Sequence, residues 1–510
     1  MLSKAFSTTI IGIDGHIVEV EVDLIRGLPY FSIVGLPETT IKESKERVKS
    51  AIRNSGYDFP IRHITVNLAP AGIRKDGAGF DLPIALAILA ANGVLAQEAL
   101  DPFLVYGELS LDGRLKATRG SLLVAICAKE KKRTGVLIPR QNALEASVVK
   151  GVEVRGISSL SETIEFINGD LAVDPVLMNP HEILKRRSAH SADFCDIKGQ
   201  EHAKRAVEVA AAGGHNILMI GPPGAGKTMI AKRIPTILPC MSFEESLETT
   251  KIYSVSGLLD HNAPLVSDRP FRSPHHTISD AGLIGGGSIP RPGELSLAHN
   301  GVIFLDELPE FRKNTLEVLR QPIEDRRVTI ARSAASCTFP ASTMFVAAMN
   351  PCRCGFLTDP AHDCTCTTAQ IHRYRSKISG PLLDRLDLHI EVPAVKYKEL
   401  SSRSDEETSE TIRDRVQRAR EIQARRLGPF GIHANAEMTP ELIKRFCTHV
   451  DEDGSRLMET AIDRLGMSAR AYSRILKVSR TIADLEGEEI IRTVHIAEAI
   501  QYRSLDRKRV

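Results

Sequence analysis

The sequence predicts a multidomain chain of mixed α/β and α+β class: an α+β domain over residues 1–170, a linker over 171–190, an α/β core over 191–395 and a small helical domain over 396–510. Three observations carry this expectation. A four-residue apolar run, Ile217 to Ile220, leads directly into Gly221-Pro222-Pro223-Gly224-Ala225-Gly226-Lys227-Thr228 and then into a helical pattern. Val18, Val20, Val22 and Leu24 alternate with acidic residues, the period-two mark of a half-buried strand. Beyond about residue 410, helix starts and stops follow one another with no strand between them. A chain of 510 residues also exceeds what one hydrophobic core supports.

In the first domain, Tyr30–Val34 and the run Ile64-Thr-Val66-Asn-Leu68 repeat the alternating pattern. Between them residues 38–54 have helical spacing, with Ile41, Val48 and Ile52 apolar among charges. A second helix over 82–91 stops at Asn92-Gly93. Residues 136–139 and 152–154 read as further strands among short helices. Residues 170–191 carry Pro175, Pro180 and the basic run Lys185-Arg-Arg187 without an apolar face, hence a linker.

The core carries the chemistry. The segment from Gly221 to Thr228 fits G-x-x-x-x-G-K-[ST] at every fixed position. Glycines let the backbone turn its N–H groups toward phosphate oxygens, and the helix over 227–237 offers its positive end to the same anion. Lys227 would reach the β- and γ-phosphates of ATP, and the Thr228 hydroxyl would ligate Mg²⁺. Downstream, Gly301-Val-Ile-Phe-Leu ends in Asp306-Glu307. Carboxylates at the end of a buried parallel strand stand where α/β folds bind ligands. Asp306 would hold Mg²⁺, and Glu307 would deprotonate the water that attacks the γ-phosphate. A third strand over 343–349 ends in Asn350.

Between Asn350 and the next strand lies Cys352-Arg-Cys354, nine residues, then Cys364-Thr-Cys366. Four thiolates can close a tetrahedral, structural Zn²⁺ site, with His362 or His372 as substitutes for one sulfur; free thiols are the alternative. The C-x-C spacing is tighter than the usual pairing. Arg326-Arg327 and Arg332, with the small residues Ser333 to Ser336, suggest a hairpin; a resemblance to the pore hairpins of related helicases implies that these arginines contact DNA phosphates, against the alternative of a solvated edge hairpin. In the last domain, residues 412–426 form a charged helix, Thr439-Pro440-Glu441 starts another, Ser468 caps a long one, and Thr493 opens the last. The basic tail from Arg503 reads as mobile.

Composition narrows the function classes. Hydrophobic residues make up 42% and charged residues 25%, and the net charge is +2, so any nucleic-acid surface has to be local. No segment approaches the ~18 apolar residues of a membrane span, and the start MLSKAFSTTIIGIDGH has no secretory pattern. A cytoplasmic protein without a membrane partner is expected. Nine cysteines, an odd number, argue against a disulfide framework.

Two resemblances add to this. Lys75-Asp-Gly-Ala-Gly-Phe-Asp81-Leu-Pro with Gly107-Glu-Leu-Ser-Leu-Asp-Gly113 resembles the proteolytic domain of Lon-type proteases, a ribosomal-protein-S5-like fold. The nucleophilic serine of that family falls at about Gly79 and its lysine near Thr118, so the Ser–Lys chemistry is missing and a non-proteolytic role is implied. Phe271-Arg-Ser-Pro-His275-His276-Thr-Ile-Ser-Asp, Gly285-Gly-Gly, Arg291-Pro-Gly-Glu294, Asn350-Pro-Cys-Arg-Cys-Gly355 and the stretch from Ser379 to Leu388 are closely similar to magnesium-chelatase-like AAA+ ATPases. Joined to a Lon-like domain, they resemble the ComM/YifB group over essentially the whole chain. The resemblance implies a P-loop AAA+ core with a helical lid, in a homohexameric ring related to MCM helicases that drives DNA branch migration during natural transformation. It also implies that Ile197 packs on adenine, Asn350 positions the attacking water, Arg385 is an arginine finger acting in the neighbouring subunit, and Arg470 is a second sensor. An internal pair of Arg385 with Asp384 or Asp387 is the structural alternative. A chelatase-type ATPase for metal insertion and an ATP-driven protein-remodelling module remain the competing functions.

Overall fold

The computed structural model describes residues 1–179, 183, 192–260, 263–287, 290–331, 336–359, 361–395, 406–465 and 468–503. Half of the expected linker, including its run Lys185-Arg-Arg187, lies outside the described residues, as do Arg332 and residues 504–510. The chain divides into two compact units, one formed by residues 1–186 with 242–267 and the other by 187–241 with 268–510. No helix among the described residues is long and apolar enough to cross a membrane.

The first unit is built on a mixed seven-stranded sheet in the order Tyr30–Val34, His63–Ala69, Asp14–Ile25, Leu2–Ile11, Phe103–Val105, Gly135–Pro139, Glu153–Ile157. The alternation along Asp14–Ile25 does what its pattern dictates: Val18, Val20, Val22 and Leu24 are buried, while Glu19 and Glu21 face Lys4 on the other side. Helix Asp81–Ala91 is apolar all round and buried along nearly its whole length, as a helix without a polar face must be. At its start, the buried Asp81 carboxylate accepts from Arg47 Nε at 2.7 Å and from Leu109 N at 3.2 Å.

Strand Leu2–Ile11 is not anticipated from the pattern, yet it sits mid-sheet and pairs along its full length with Asp14–Ile25. Segment 242–267, read from sequence as part of the central region, packs in this unit. Its helix Phe243–Ser256 opens with a capping box between Ser242 and Glu245, and Ser254 Oγ donates to the buried Glu145 at 2.5 Å. A side chain at Gly79 is impossible as the unit stands, because a Cβ there would lie 2.2 Å from the Tyr106 ring. Tyr106 fills the space that a side chain at position 79 would need.

The second unit contains a five-stranded sheet in the order Phe271–Arg272, Val302–Leu305, Met344–Met349, Ile217–Ile220, Leu388–Glu391, with every pair parallel. Ile217–Ile220, Val302–Leu305 and Met344–Met349 are buried throughout, which explains their uninterrupted apolar runs. This strand order sets three carboxyl ends side by side. Helices Lys227–Ile237, Ser409–Leu427 and Ala469–Glu486 share one core with the sheet, through Ile230, Ile234, Val416, Ala419, Ile475 and Ile482. Buried polar groups fasten the carboxyl-terminal helices. Arg426 grips Asp484 through both nitrogens, at 2.8 and 2.5 Å. Although burial pushes Asp387 up, Arg474, His215 and the Asn216 N–H hold its carboxyl far below the usual range.

The chain end corrects one expectation. Arg503 is fully buried and donates from Nη1 to Leu386 O at 2.6 Å, so it belongs to the folded unit rather than to a mobile tail.

Candidate active site

The turn after Ile217–Ile220 is shaped by its glycines. Gly221 accepts no side chain, since a Cβ would fall 2.0 Å from Val392 O. Gly224 and Gly226 take positive φ, 76° and 83°, and Gly226 caps helix Lys227–Ile237. The first N–H groups of a helix have no partner within it, which is the arrangement an anion cradle requires. Pro222, Pro223 and Ala225 complete the turn.

Lys227 is buried, and its Nζ donates to Gly221 O at 2.6 Å, Pro222 O at 2.9 Å and Asn350 Oδ1 at 3.1 Å. Burial pushes its pKa down, and the Asp306 charge opposes this only in part. An ammonium held by three neutral acceptors is short of negative charge, the condition that an incoming triphosphate relieves. Thr228 Oγ1 donates to Asp306 Oδ2 at 2.7 Å. A hydroxyl and a carboxylate brought together in this way are the hard oxygen donors that Mg²⁺ takes. Asp306 Oδ1 accepts from Glu307 N at 2.9 Å.

Glu307 stands in left-handed backbone, φ 52°, uncommon for a residue with a side chain and typical of a constrained site. Its carboxylate lies 3.4 Å from His276 Nδ1, and the His276 ring meets Phe311 edge-on. His276 was read from sequence only as part of a family motif. Its position beside Glu307 depends on the pairing of Phe271–Arg272 with Val302–Leu305, a long-range contact with no local signal.

Of the other expected residues, Asn350 joins the cluster through Lys227, directly after strand Met344–Met349. Ile197 is fully buried, and Gln200, three residues on, donates to Ala225 O at 2.8 Å and so ties this segment to the phosphate turn. Arg385 is not brought to the cluster. It is buried, donates to Arg320 O at 2.9 Å and Pro381 O at 2.7 Å, and pairs with Glu324 at 2.8 Å rather than with Asp384 or Asp387. Arg470 is exposed in the first turn of Ala469–Glu486.

The hairpin exists, as strands Arg327–Ala331 and Ser336–Pro340 in antiparallel register. Val328, Ile330, Cys337 and Phe339 face inward, while Arg327, Thr329, Ser336 and Thr338 are exposed. Arg326 departs from the expectation of a free phosphate contact. It stands at the base of the hairpin with φ 54°, its guanidinium paired with Glu437 and its Nη1 3.4 Å from Ser342 Oγ. The four cysteines converge: Cys352 Sγ lies 3.3 Å from Cys354 Sγ and 3.7 Å from Cys364 Sγ, and Cys366 Sγ accepts from Cys354 N at 3.4 Å. The backbone N–H of Phe356 draws the Cys354 thiol down to about 5. His362 is engaged elsewhere, with Asp359 at 2.9 Å.

A parallel sheet with a phosphate loop, a Thr–Asp pair, an adjacent glutamate and a polar residue on the neighbouring strand defines a P-loop nucleotide-binding protein of the AAA+ class. Residues 193–400 match the family described as magnesium chelatase, subunit ChlI; residues 20–142 match subunit ChlI of Mg-chelatase, and 406–503 its C-terminal part. The chain is 45% identical to competence protein ComM of Haemophilus influenzae, covering 99% of this chain and 98% of that one. It is 43% identical to the uncharacterized protein YifB of Escherichia coli, with the same coverage. A more distant match, 23% identical over 61% of this chain and 31% of its own, is the DNA replication licensing factor mcm6 of Dictyostelium discoideum. The chain belongs to the ComM/YifB family of magnesium-chelatase-type AAA+ ATPases.

Proposed function

We propose that this chain is an ATP-hydrolysing motor that works in the cytoplasm as a homohexameric ring on single-stranded or branched DNA, driving branch migration during natural transformation and recombination. The observation that carries the reading is the convergence of Lys227, Thr228, Asp306, Glu307 and Asn350 at three adjacent strand ends, in a chain whose relatives include a competence protein and a DNA replication factor. Gly221 to Thr228 would hold the triphosphate, and Ile197 the base. Mg²⁺ on Thr228 and Asp306 supplies charge neutralisation at the phosphates. Glu307 takes the proton of the attacking water, Asn350 orients that water, and Arg385 and Arg470 approach the nucleotide as the ring assembles and the lid closes. Cys352, Cys354, Cys364 and Cys366 hold a structural Zn²⁺. The first unit is a non-proteolytic Lon-like domain.

The family models bear the name of a chelatase subunit, which keeps ATP-driven metal insertion as the second reading. ATP turnover measured with and without a forked or four-way DNA junction separates the two. Stimulation by DNA supports the motor, and an ATPase indifferent to every DNA supplied sinks it. Glu307→Gln should bind ATP as the parent does and lose turnover. Normal hydrolysis by that variant would reassign the base.

Because Glu437 engages Arg326, the proposed DNA contact falls to Arg327 and, from the sequence pattern, Arg332, which lies outside the described residues. The joint substitution Arg327→Ala with Arg332→Ala should weaken binding to all sequences alike and flatten its salt dependence, because phosphate contacts carry no sequence information. Basal ATP hydrolysis should persist. Junctions migrated at the parental rate by the double variant would exclude the hairpin as the grip.

A further inference from the structure

The cysteine knuckle is built into the wall of the nucleotide site. Cys352 follows Asn350 by two residues and is fully buried. The Sγ separations of 3.3, 3.5 and 3.7 Å fall just below the ~3.8 Å edge that Zn–S bonds of about 2.3 Å give a tetrahedron, and all four sulfurs lie within 4.8 Å of one another. All are free thiols. Such convergence of four soft donors suits a zinc-like cation, and thiolates so close together repel unless a cation neutralises them.

One contact then runs from the knuckle to the nucleotide loop, and two from the helix after it to Asn350 and Pro351. Gly355, at φ 90°, lies so tightly on the phosphate turn that a Cβ would stand 2.6 Å from Pro223 Cδ and 3.9 Å from Asn350 Cγ. Arg375, on the helix Thr368–Arg375 that continues from Cys366, donates from Nε to Pro351 O at 3.0 Å. Tyr374, buried on the same helix, is hydrogen-bonded by the Asn350 backbone. Asn350 in turn accepts from Lys227 Nζ. The two residues between strand end and first cysteine are therefore held at the Asn350 backbone and side chain and at the Pro351 carbonyl. Gly355 lies inside the segment that the cysteines close, and Tyr374 and Arg375 stand on the helix that follows it directly.

We infer that the metal-loaded quartet Cys352, Cys354, Cys364 and Cys366 is a positioning element of the ATP site: by fixing Gly355 against Pro223 and Asn350 against Lys227, metal occupancy sets the rate of ATP hydrolysis. The inference rests on the ATPase reading above. The cysteines do not touch nucleotide; they act through Asn350 and Pro223. Loss of the metal frees the segment 352–366 and with it the water-orienting amide, whereas the phosphate cradle and Lys227 remain. The effect falls on kcat and leaves the KM for ATP nearly unchanged.

The test uses the full-length chain. Elemental analysis should find about one zinc per chain, and Co²⁺ substitution should give the thiolate-to-metal absorption of a tetrahedral sulfur site. The double variant Cys364→Ser with Cys366→Ser should lose the metal, keep ATP binding within about threefold and lower kcat at least tenfold. Should that variant fail to fold, the parent can be stripped with a mercurial thiol reagent and restored with dithiothreitol and Zn²⁺; turnover should fall and return with metal content. Gly355→Ala keeps all four thiols and should retain zinc while lowering kcat, because its methyl group displaces Pro223. Native protein without metal, or a stripped protein with parental kcat, overturns the inference. A zinc-loaded parent without any ATPase instead overturns the ATPase reading and leaves the metal site standing.

Discussion

Lys227→Ala should abolish nucleotide binding and leave the nucleotide-free protein close to parental stability. The lysine is buried, and its hydrogen-bond partners among the described residues are Gly221 O, Pro222 O and Asn350 Oδ1, none of them charged. Two effects oppose each other when it is removed. Three acceptors lose a donor, at about 1–3 kcal/mol for a group left unsatisfied, and a desolvated ammonium disappears, which is favourable. Their near cancellation leaves the apo fold intact. Nucleotide removes the cancellation, because the ammonium then faces the terminal phosphates in a low-dielectric turn. Saturating ATP at ~100 times Kd stabilises a single-site protein by about 2.7 kcal/mol. That is a shift of roughly 5–10 °C for a unit of this size, at about 2–4 °C per kcal/mol. Thermal unfolding with and without MgATP should show the shift in the parent and none in Lys227→Ala. An equal shift in both would remove Lys227 from the phosphate site.

What could be read from the chain follows from how local each signal is. Helix Lys227–Ile237 and strands Ile217–Ile220 and Met344–Met349 announce themselves because a fully buried parallel strand has to be a short apolar run and the phosphate turn has obligatory glycines. Strand Leu2–Ile11 is hidden because Ser3, Ser7, Thr8 and Thr9 are among its buried residues, so its inward face does not read as apolar. Segment 242–267 follows the phosphate helix in sequence but is packed with residues 1–186, and nothing in its own pattern names that partner. Arg326 and Arg503 look like free surface cations until their acceptors, Glu437 and the Leu386 carbonyl, are brought in from over a hundred residues away. Residue types thus single out the candidate phosphate and metal donors; the partners of single arginines are decided by tertiary packing.

Arg385→Ala is the second large effect, and the structure sharpens what it tests. Within one chain the guanidinium is tied to Arg320 O and Pro381 O and paired with Glu324. If Arg385 acts in a neighbouring subunit's ATP site, it has to leave these partners when the ring forms. The Glu324 side chain is 47% exposed, so solvent screens that partner even though Arg385 itself is buried. A developing phosphoryl charge is the stronger partner. On this reading Arg385→Ala should bind ATP with parental affinity and hydrolyse it on the order of 10³ times more slowly, the scale of an arginine finger. Mixing it with Lys227→Ala under subunit exchange should restore part of the activity, because some interfaces then join an intact phosphate loop to an intact finger. An internal brace behaves otherwise: its loss lowers the unfolding temperature, and two inactive variants stay inactive when mixed. Melting temperature, single-turnover hydrolysis and the mixing experiment together assign Arg385 to one role, and failure of mixing to restore any turnover rules out the finger in trans.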